Sequence, residues 1–144
     1  SIYPTTIDVA NLNRLNYLKN FTKNVGISDH SNPEIYKYKI IAGSLLLGAD
    51  IVEKHFTILP KDKTKDGIVS ANPDQLKDIS KLCKLNKTDI VDYVKENVSE
   101  IEEMKGNSKR ELSNEELANR DYYQGRFASK IDGKVIFNWD ETEI

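Results

Sequence analysis

The sequence predicts an α/β protein on three observations. Two short apolar runs, "NVGISD" and "DIVEKHFT", have the length and β-branched content of buried strands. Helical patterns lie before, between and after them, two of which open on Asn-Pro, at Asn32-Pro33 and Asn72-Pro73. Finally, a helix-length segment between two strands is the mark of a parallel βαβ unit, because an antiparallel pair needs only a tight turn.

Each element has its own signal. Leu12, Leu15 and Leu18 recur at three-residue spacing with Asp8 as an N-cap, predicting a helix over roughly 9–21. After the first strand, Asn32 caps a helix with Pro33 at its first position and Glu34 in its first turn. Its small residues Ala42, Gly43, Gly48 and Ala49 suit close packing on a sheet. The second strand leads into a polar, Lys/Asp-rich loop at 60–71. The second Asn-Pro start opens a helix with Leu76, Ile79, Leu82 and Cys83 facing inward. Ile90, Val94, Val98 and Ile101 then mark one amphipathic helix that Gly106 ends. Ser113 and Glu116 form a capping-box pattern before a short helix. Asp132-Gly133 separates two alternating runs and predicts a hairpin over 126–139, packed through Phe127, Ile136 or Trp139. A boundary at 106–112 divides the chain into an α/β part, 1–106, and a tail, 107–144.

Composition narrows the function classes. The chain has 144 residues, the size of one domain, with 31% charged and 38% hydrophobic residues, ordinary for a globular protein. A net charge of −2 leaves no broad electrostatic footprint for nucleic acid. No apolar run approaches the roughly 20 residues that span a bilayer, and no signal-peptide pattern opens the chain. The single cysteine, Cys83, excludes an internal disulfide and reads as a buried structural thiol. A reducing cytoplasm is the expected location. The chain opens on Ser1, and "SIYPTT" has the character of an internal segment.

Both histidines of the chain, His30 and His55, close the two strand-like runs. Alternation along a strand puts His30 on a face with Ser28 and Gly26, and His55 with Glu53 and Ile51. With both faces of a parallel sheet covered, these polar groups would be buried and would need partners. Carboxyl ends of parallel strands are where α/β barrels build active sites. Two readings stand at this point: hydrogen-bonded strand-end histidines, or ligands of a shared ion. Imidazole with carboxylate and water suits Mn²⁺, Zn²⁺, Fe²⁺ or Co²⁺.

Five motifs, "SIYPTT", the leucine repeat from Asn11, "VGISDH", "GADIVEKHFT" and "DGIVSANPDQL", occur in order over residues 1–85. In this the chain resembles the N-acetylneuraminate (sialic acid) synthase family. The resemblance implies the C-terminal part of a (β/α)₈ TIM barrel, strands 7 and 8 with flanking helices; the helical segment and β-hairpin that follow are read from the residues themselves. It implies a transferase that condenses phosphoenolpyruvate with the open-chain aldehyde of an N-acyl hexosamine, of N-acetylmannosamine type, releasing phosphate. His30 and His55 match the ligands of a divalent metal, usually Mn²⁺, with Mg²⁺, Co²⁺ or Zn²⁺ as alternatives. Tyr3 and Asp66 match residues at the sugar, Ser1 and Ser28 match contacts of phosphoenolpyruvate, and Glu53 is assigned to orienting a metal-bound water. Lys61, Lys63 and Lys65 superficially suggest a phosphate cradle but read as a solvated loop. The family is expected to work as a homodimer, with no nucleic-acid or membrane partner.

The departures from the pattern also carry expectations. Six earlier strands, with further phosphoenolpyruvate-binding lysines, have no counterpart here, and the spacing between "SDH" and "EKHFT" is longer than in the commoner bacterial pattern. "RFASKIDGKVIFNW" only loosely resembles the linker to the family's antifreeze-like domain. Two strands cannot close a barrel and leave unpaired edges, so the remainder of the barrel, or further copies, should cover them. The segment alone is expected to be inactive. The competing class is a non-catalytic metal-binding or assembly module.

Overall fold

The computed structural model describes residues 2–122 and 128–137. The chain divides into two compact units, 2–110 and 111–144. The first is an α/β unit around a two-stranded parallel sheet, β1 (Gly26–Asp29) and β2 (Ile51–Lys54), with Gly26 opposite Ile51, Ser28 opposite Glu53 and Asp29 opposite Lys54.

Helix α1 (Arg14–Leu18) is much shorter than the predicted 9–21. A 3₁₀ turn at Ile7–Val9 precedes it, and Asn11 at φ 47 interrupts the helical path. Asp8 therefore caps nothing; its carboxylate accepts a hydrogen bond from Thr6 Oγ1. Leu12 and Leu15 are buried as their spacing predicts. The crossover between the strands also breaks in two, α2 (Pro33–Tyr36) and α3 (Lys39–Leu46), because Lys37 adopts φ 50. Its start is the expected one: Asn32 accepts a hydrogen bond from the Glu34 amide, with Pro33 in the first turn. Helix α3 buries five consecutive residues, Ile40 to Ser44, as a helix packed on several sides must. A Cβ on Gly43 would lie 2.8 Å from Leu12 Cδ1 and 3.1 Å from Ile101 Cδ1, so a glycine is what lets three segments meet here.

After the loop, α4 (Pro73–Leu82) opens on a complete capping box between Asn72 and Gln75. Ile79 and Leu82 are buried, but Leu76 is 37% exposed and Cys83, at the C-cap, is exposed. The packed stripe is narrower than the sequence suggests, and Cys83 falls outside it. The expected single helix over the stretch 87–106 is two, α5 (Lys87–Asn97) and α6 (Ile101–Lys105), separated where Val98 leaves helical geometry. Val98 and Met104 are buried nonetheless. Gly106, at φ 46, ends α6 as predicted. The carbonyls of Met104 and Lys105 accept from the amides of Leu12 and Asn13, which binds the end of α6 to the entry of α1.

The sheet has two unlike faces. Helix α3 packs against β1 on one side, where Ile27, Val52 and the Asp29 side chain are partly or fully buried. On the other side Gly26, Ser28, Ile51 and Glu53 are exposed among the described residues. The expectation of cover on both faces fails here, and Ile51 is 60% exposed.

In the second unit α7 (Asn114–Tyr122) starts at the predicted capping box, with reciprocal hydrogen bonds between Ser113 and Glu116. Strands β3 (Ala128–Ile131) and β4 (Lys134–Phe137) pair antiparallel across Asp132 (φ 49) and Gly133 (φ 81), the left-handed pair a two-residue turn requires. Of the residues predicted to pack the hairpin, Phe127 and Trp139 lie outside the described residues, and for Ile136 only the strand position is described.

The burial pattern of α4 yields a direct test. Ile79→Ala should cost about 2–5 kcal/mol, as for other buried aliphatic truncations, while Leu76→Ala should cost well under half as much. Urea denaturation of the two variants measures both, and equal losses would contradict the narrow stripe.

Candidate functional site

The carboxyl ends of β1 and β2 deliver His30 and His55 to one place. Their rings lie 5.2 Å apart between centroids, at 63°. His30 is 5% exposed and its carbonyl accepts from the Thr5 amide at 2.9 Å. That backbone bond brings the N-terminal segment across the strand end and lays the Tyr3 ring on His30, with centroids 4.0 Å apart and Oη 2.7 Å from Nε2. Tyr3 also meets His55 edge-on at 6.0 Å. The Tyr3-Pro4 peptide bond is cis.

A chain of polar contacts continues from His30. Ser28 Oγ lies 3.2 Å from His30 Nε2 and donates to Glu53 Oε1 at 2.8 Å. Ser28 and Glu53 are register partners, so the sheet itself sets this contact. Tyr3, His30, Ser28 and Glu53 thus form one hydrogen-bonded row across the open face.

The loop after β2 adds Asp66. It is anchored at its base, where the Ala71 amide donates to the His55 carbonyl and the Thr57 amide to the Ala71 carbonyl. Its outer part is tied by Lys61 Nζ to Glu34 Oε1 at 2.7 Å, and Gln75 Nε2 reaches the same oxygen. These bonds, with that of Lys61 the shortest, hold the Glu34 carboxyl below its ordinary pKa. Lys61 is thus engaged in an ion pair, and Lys63 lies 3.7 Å from Asp62. Asp66 Oδ2 sits 3.7 Å from His55 Nδ1, within ion-pair range but too long for a hydrogen bond. Next to it, Gly67 has no room for a side chain: a Cβ would collide with the Lys61 carbonyl and Thr64 Oγ1.

Burial pushes the His30 pKa below the usual 6.5, and the neighbouring His55 acts in the same direction against Asp29 and Glu53. The neutral imidazole that results is the form that ligates a metal. Two imidazoles whose rings lie 5.2 Å apart are the ligand type that suits a divalent transition ion. Among the described residues no group of three or more His, Cys, Asp or Glu side chains converges as a metal cluster, so further donors would be waters or other chain segments.

Six sequence-predicted residues therefore come together: Tyr3, Ser28, His30, Glu53, His55 and Asp66. Ser1 lies outside the described residues. Sequence reasoning missed what lies beneath them, on the helix side of the sheet. Asp29 and Lys54 form an ion pair at 2.8 Å with side chains only 1% and 2% exposed. The available signal was a pair of opposite charges one residue before each histidine, at matching register.

Polar groups gathered at the carboxyl ends of adjacent parallel strands, with a crossover helix behind, define the class: an α/β protein with a strand-end site. Residues 1–108 match the NeuB family, and the chain belongs to it. Pseudaminic acid synthase of Campylobacter jejuni is 30% identical over 131 residues, 90% of this chain and 33% of that protein. An uncharacterized protein of Methanocaldococcus jannaschii is 39% identical over 82 residues, 55% of this chain and 23% of its own length. The crystal structure of the spore coat polysaccharide biosynthesis protein spsE from Bacillus subtilis superposes with TM-score 0.64 at 25% identity, covering 89% of this chain and 34% of that one. The chain spans about a third or less of the length of these relatives. Among the described residues no helix is long and apolar enough to cross a membrane.

The loop geometry predicts that Gly67→Ala costs about 1–3 kcal/mol, the usual scale of overpacking. Thermal unfolding measures the loss. Because Asp66 is its neighbour, the variant should also alter the His55 ring signal in an NMR spectrum, which an unperturbed loop would leave unchanged.

Proposed function

We propose that this chain is the strand-7 and strand-8 portion, residues 1–106, of the TIM barrel of a sialic-acid-type (nonulosonic acid) synthase, with residues 107–144 as a C-terminal tail. The enzyme would be a cytoplasmic homodimer joining phosphoenolpyruvate to an N-acyl hexosamine. Family membership supports the reaction class, and one observation carries the site: Tyr3, Ser28, His30, Glu53, His55 and Asp66, drawn from four separate segments, meet at one strand end. The exposed Ser28/Glu53 face supports the barrel reading, since that face is the one a closed barrel fills with side chains from other strands.

The residues divide the work by chemistry. His30 and His55 would hold a divalent ion, Mn²⁺ foremost, which supplies Lewis acidity toward a sugar carbonyl oxygen. Tyr3 Oη, already within hydrogen-bond reach of the imidazole, orients His30 and presents an aromatic wall to the sugar. Asp66, with its side chain 41% exposed beside His55, would accept from sugar hydroxyls. Ser28, with Ser1, would contact phosphoenolpyruvate. Glu53 accepts from Ser28 and has carboxylate capacity left to orient a water. In the overall change, the methylene carbon of phosphoenolpyruvate bonds to the aldehyde carbon, water adds at its C2, and the C2–O bond to phosphate is lost as inorganic phosphate leaves.

Phosphate release by the full-length protein, dependent on both substrates and abolished by a chelator, tests this reading. His55→Ala should lower the rate about 10²–10³-fold, the scale of removing one electrostatic stabiliser. Asp66→Ala should depress turnover or sugar use while Mn²⁺ affinity stays near the parent value. The 144-residue chain alone should release none. No phosphate from a folded, metal-loaded full-length protein with any N-acyl hexosamine would instead favour a metal-binding or assembly module.

A further inference from the structure

The acidic and basic residues beneath the histidines make more contacts than an ion pair needs. Asp29 Oδ1 accepts from the Ser31 amide, and Oδ2 accepts from Ser31 Oγ, each at 3.0 Å. Lys54 Nζ donates to Asp29 Oδ2 at 2.8 Å and to the Ser31 carbonyl at 2.7 Å. Residues 29 and 31 are thereby fastened to each other and to Lys54, and the residue enclosed between them is His30. Lys54 is in turn covalently joined to His55. The Thr5 amide bonds the His30 carbonyl as well, so the backbone on each side of His30 has a fixed partner.

We infer that Asp29 and Lys54 are positioning residues that hold His30 and His55 at their mutual distance, from the helix side of the sheet. This rests on the reading of the two histidines as a metal pair. A buried ion pair is an expensive way to gain stability, since the desolvation of both groups offsets most of their attraction and apolar replacements are often neutral or stabilising. Its distinct contribution here is geometric. Two apolar side chains could fill the same volume, but neither could bond the Ser31 amide, hydroxyl and carbonyl, and the strand ends would be left free to shift. Metal sites are sensitive to such outer contacts because they fix the direction of the ligand nitrogens.

The test separates stability from positioning. In the full-length protein, Asp29→Leu/Lys54→Met removes both charges together and leaves no unpaired buried ion. The double variant should keep its unfolding midpoint near the parent value and yet bind Mn²⁺ about 10–100-fold more weakly, the range seen when contacts behind metal ligands are removed. A parent-like Mn²⁺ affinity in the folded double variant overturns the inference. The cross-relaxation signal between the His30 and His55 rings, measured without metal, supplies a readout independent of the metal reading. It should weaken or vanish in the double variant, and an unchanged signal overturns the positioning role. Should the parent bind no Mn²⁺, the metal assignment fails, and the ring signal decides the positioning role by itself. If the double variant does not fold, Ser31→Ala, which removes only the hydroxyl contact, should still weaken Mn²⁺ binding or that signal measurably, and parent values in both overturn the inference.

Discussion

The contact on which the site depends is the buried pair between Asp29 and Lys54. It sits where the two strands end, at the last matched register position of the sheet. Charges this deeply withdrawn from water are tolerated only when their remaining donors and acceptors are satisfied. Ser31 supplies that satisfaction with its amide, hydroxyl and carbonyl. No buried side-chain polar atom is left unbonded among the described residues. The consequence is a rigid corner at the point where the chain leaves β1 and presents His30.

The rest of the first unit supports that corner from behind. Helix α3 lies against β1 and is backed by α5 and α6, with Ile41 and Met104 fully enclosed. The helices are shorter and more often interrupted than the hydrophobic stripes suggest. Each interruption, at Asn11, Lys37 and Val98, turns the chain so that a short segment packs instead of running past the small sheet. Packing therefore continues across breaks, which is why Leu12 and Val98 are buried although no helix extends through them.

The opposite face is a different environment. Ser28 and Glu53 lie there in contact, with Gly26 and Ile51 beside them, and Tyr3 and Phe56 are about half exposed nearby. Polar and aromatic groups on a parallel sheet are unusual where helices cover both sides. They are expected where a sheet face bounds a reaction space, and the relatives carry about two thirds of their length beyond the part this chain matches. The two faces thus differ in kind: one carries the buried Asp29–Lys54 pair, the other the exposed Ser28–Glu53 contact.

Local sequence signals were enough for the α/β class, both strands, the helix starts at Asn32, Asn72 and Ser113 and the hairpin turn at Asp132-Gly133. These rest on local chemistry: caps, proline, turn residues and period-two alternation act within a few residues of one another. Motif resemblance pointed to Tyr3 and Asp66, which no local rule would select. Where helices break, which side of α4 is packed, that Cys83 is exposed and that Asp29 meets Lys54 emerge from three-dimensional packing alone. Those outcomes depend on which distant segment occupies the neighbouring volume, and a single charge or thiol in sequence carries no record of its partner. Asp29 and Lys54 lie 25 residues apart. What joins them is the parallel register, and that exists only once the crossover has folded.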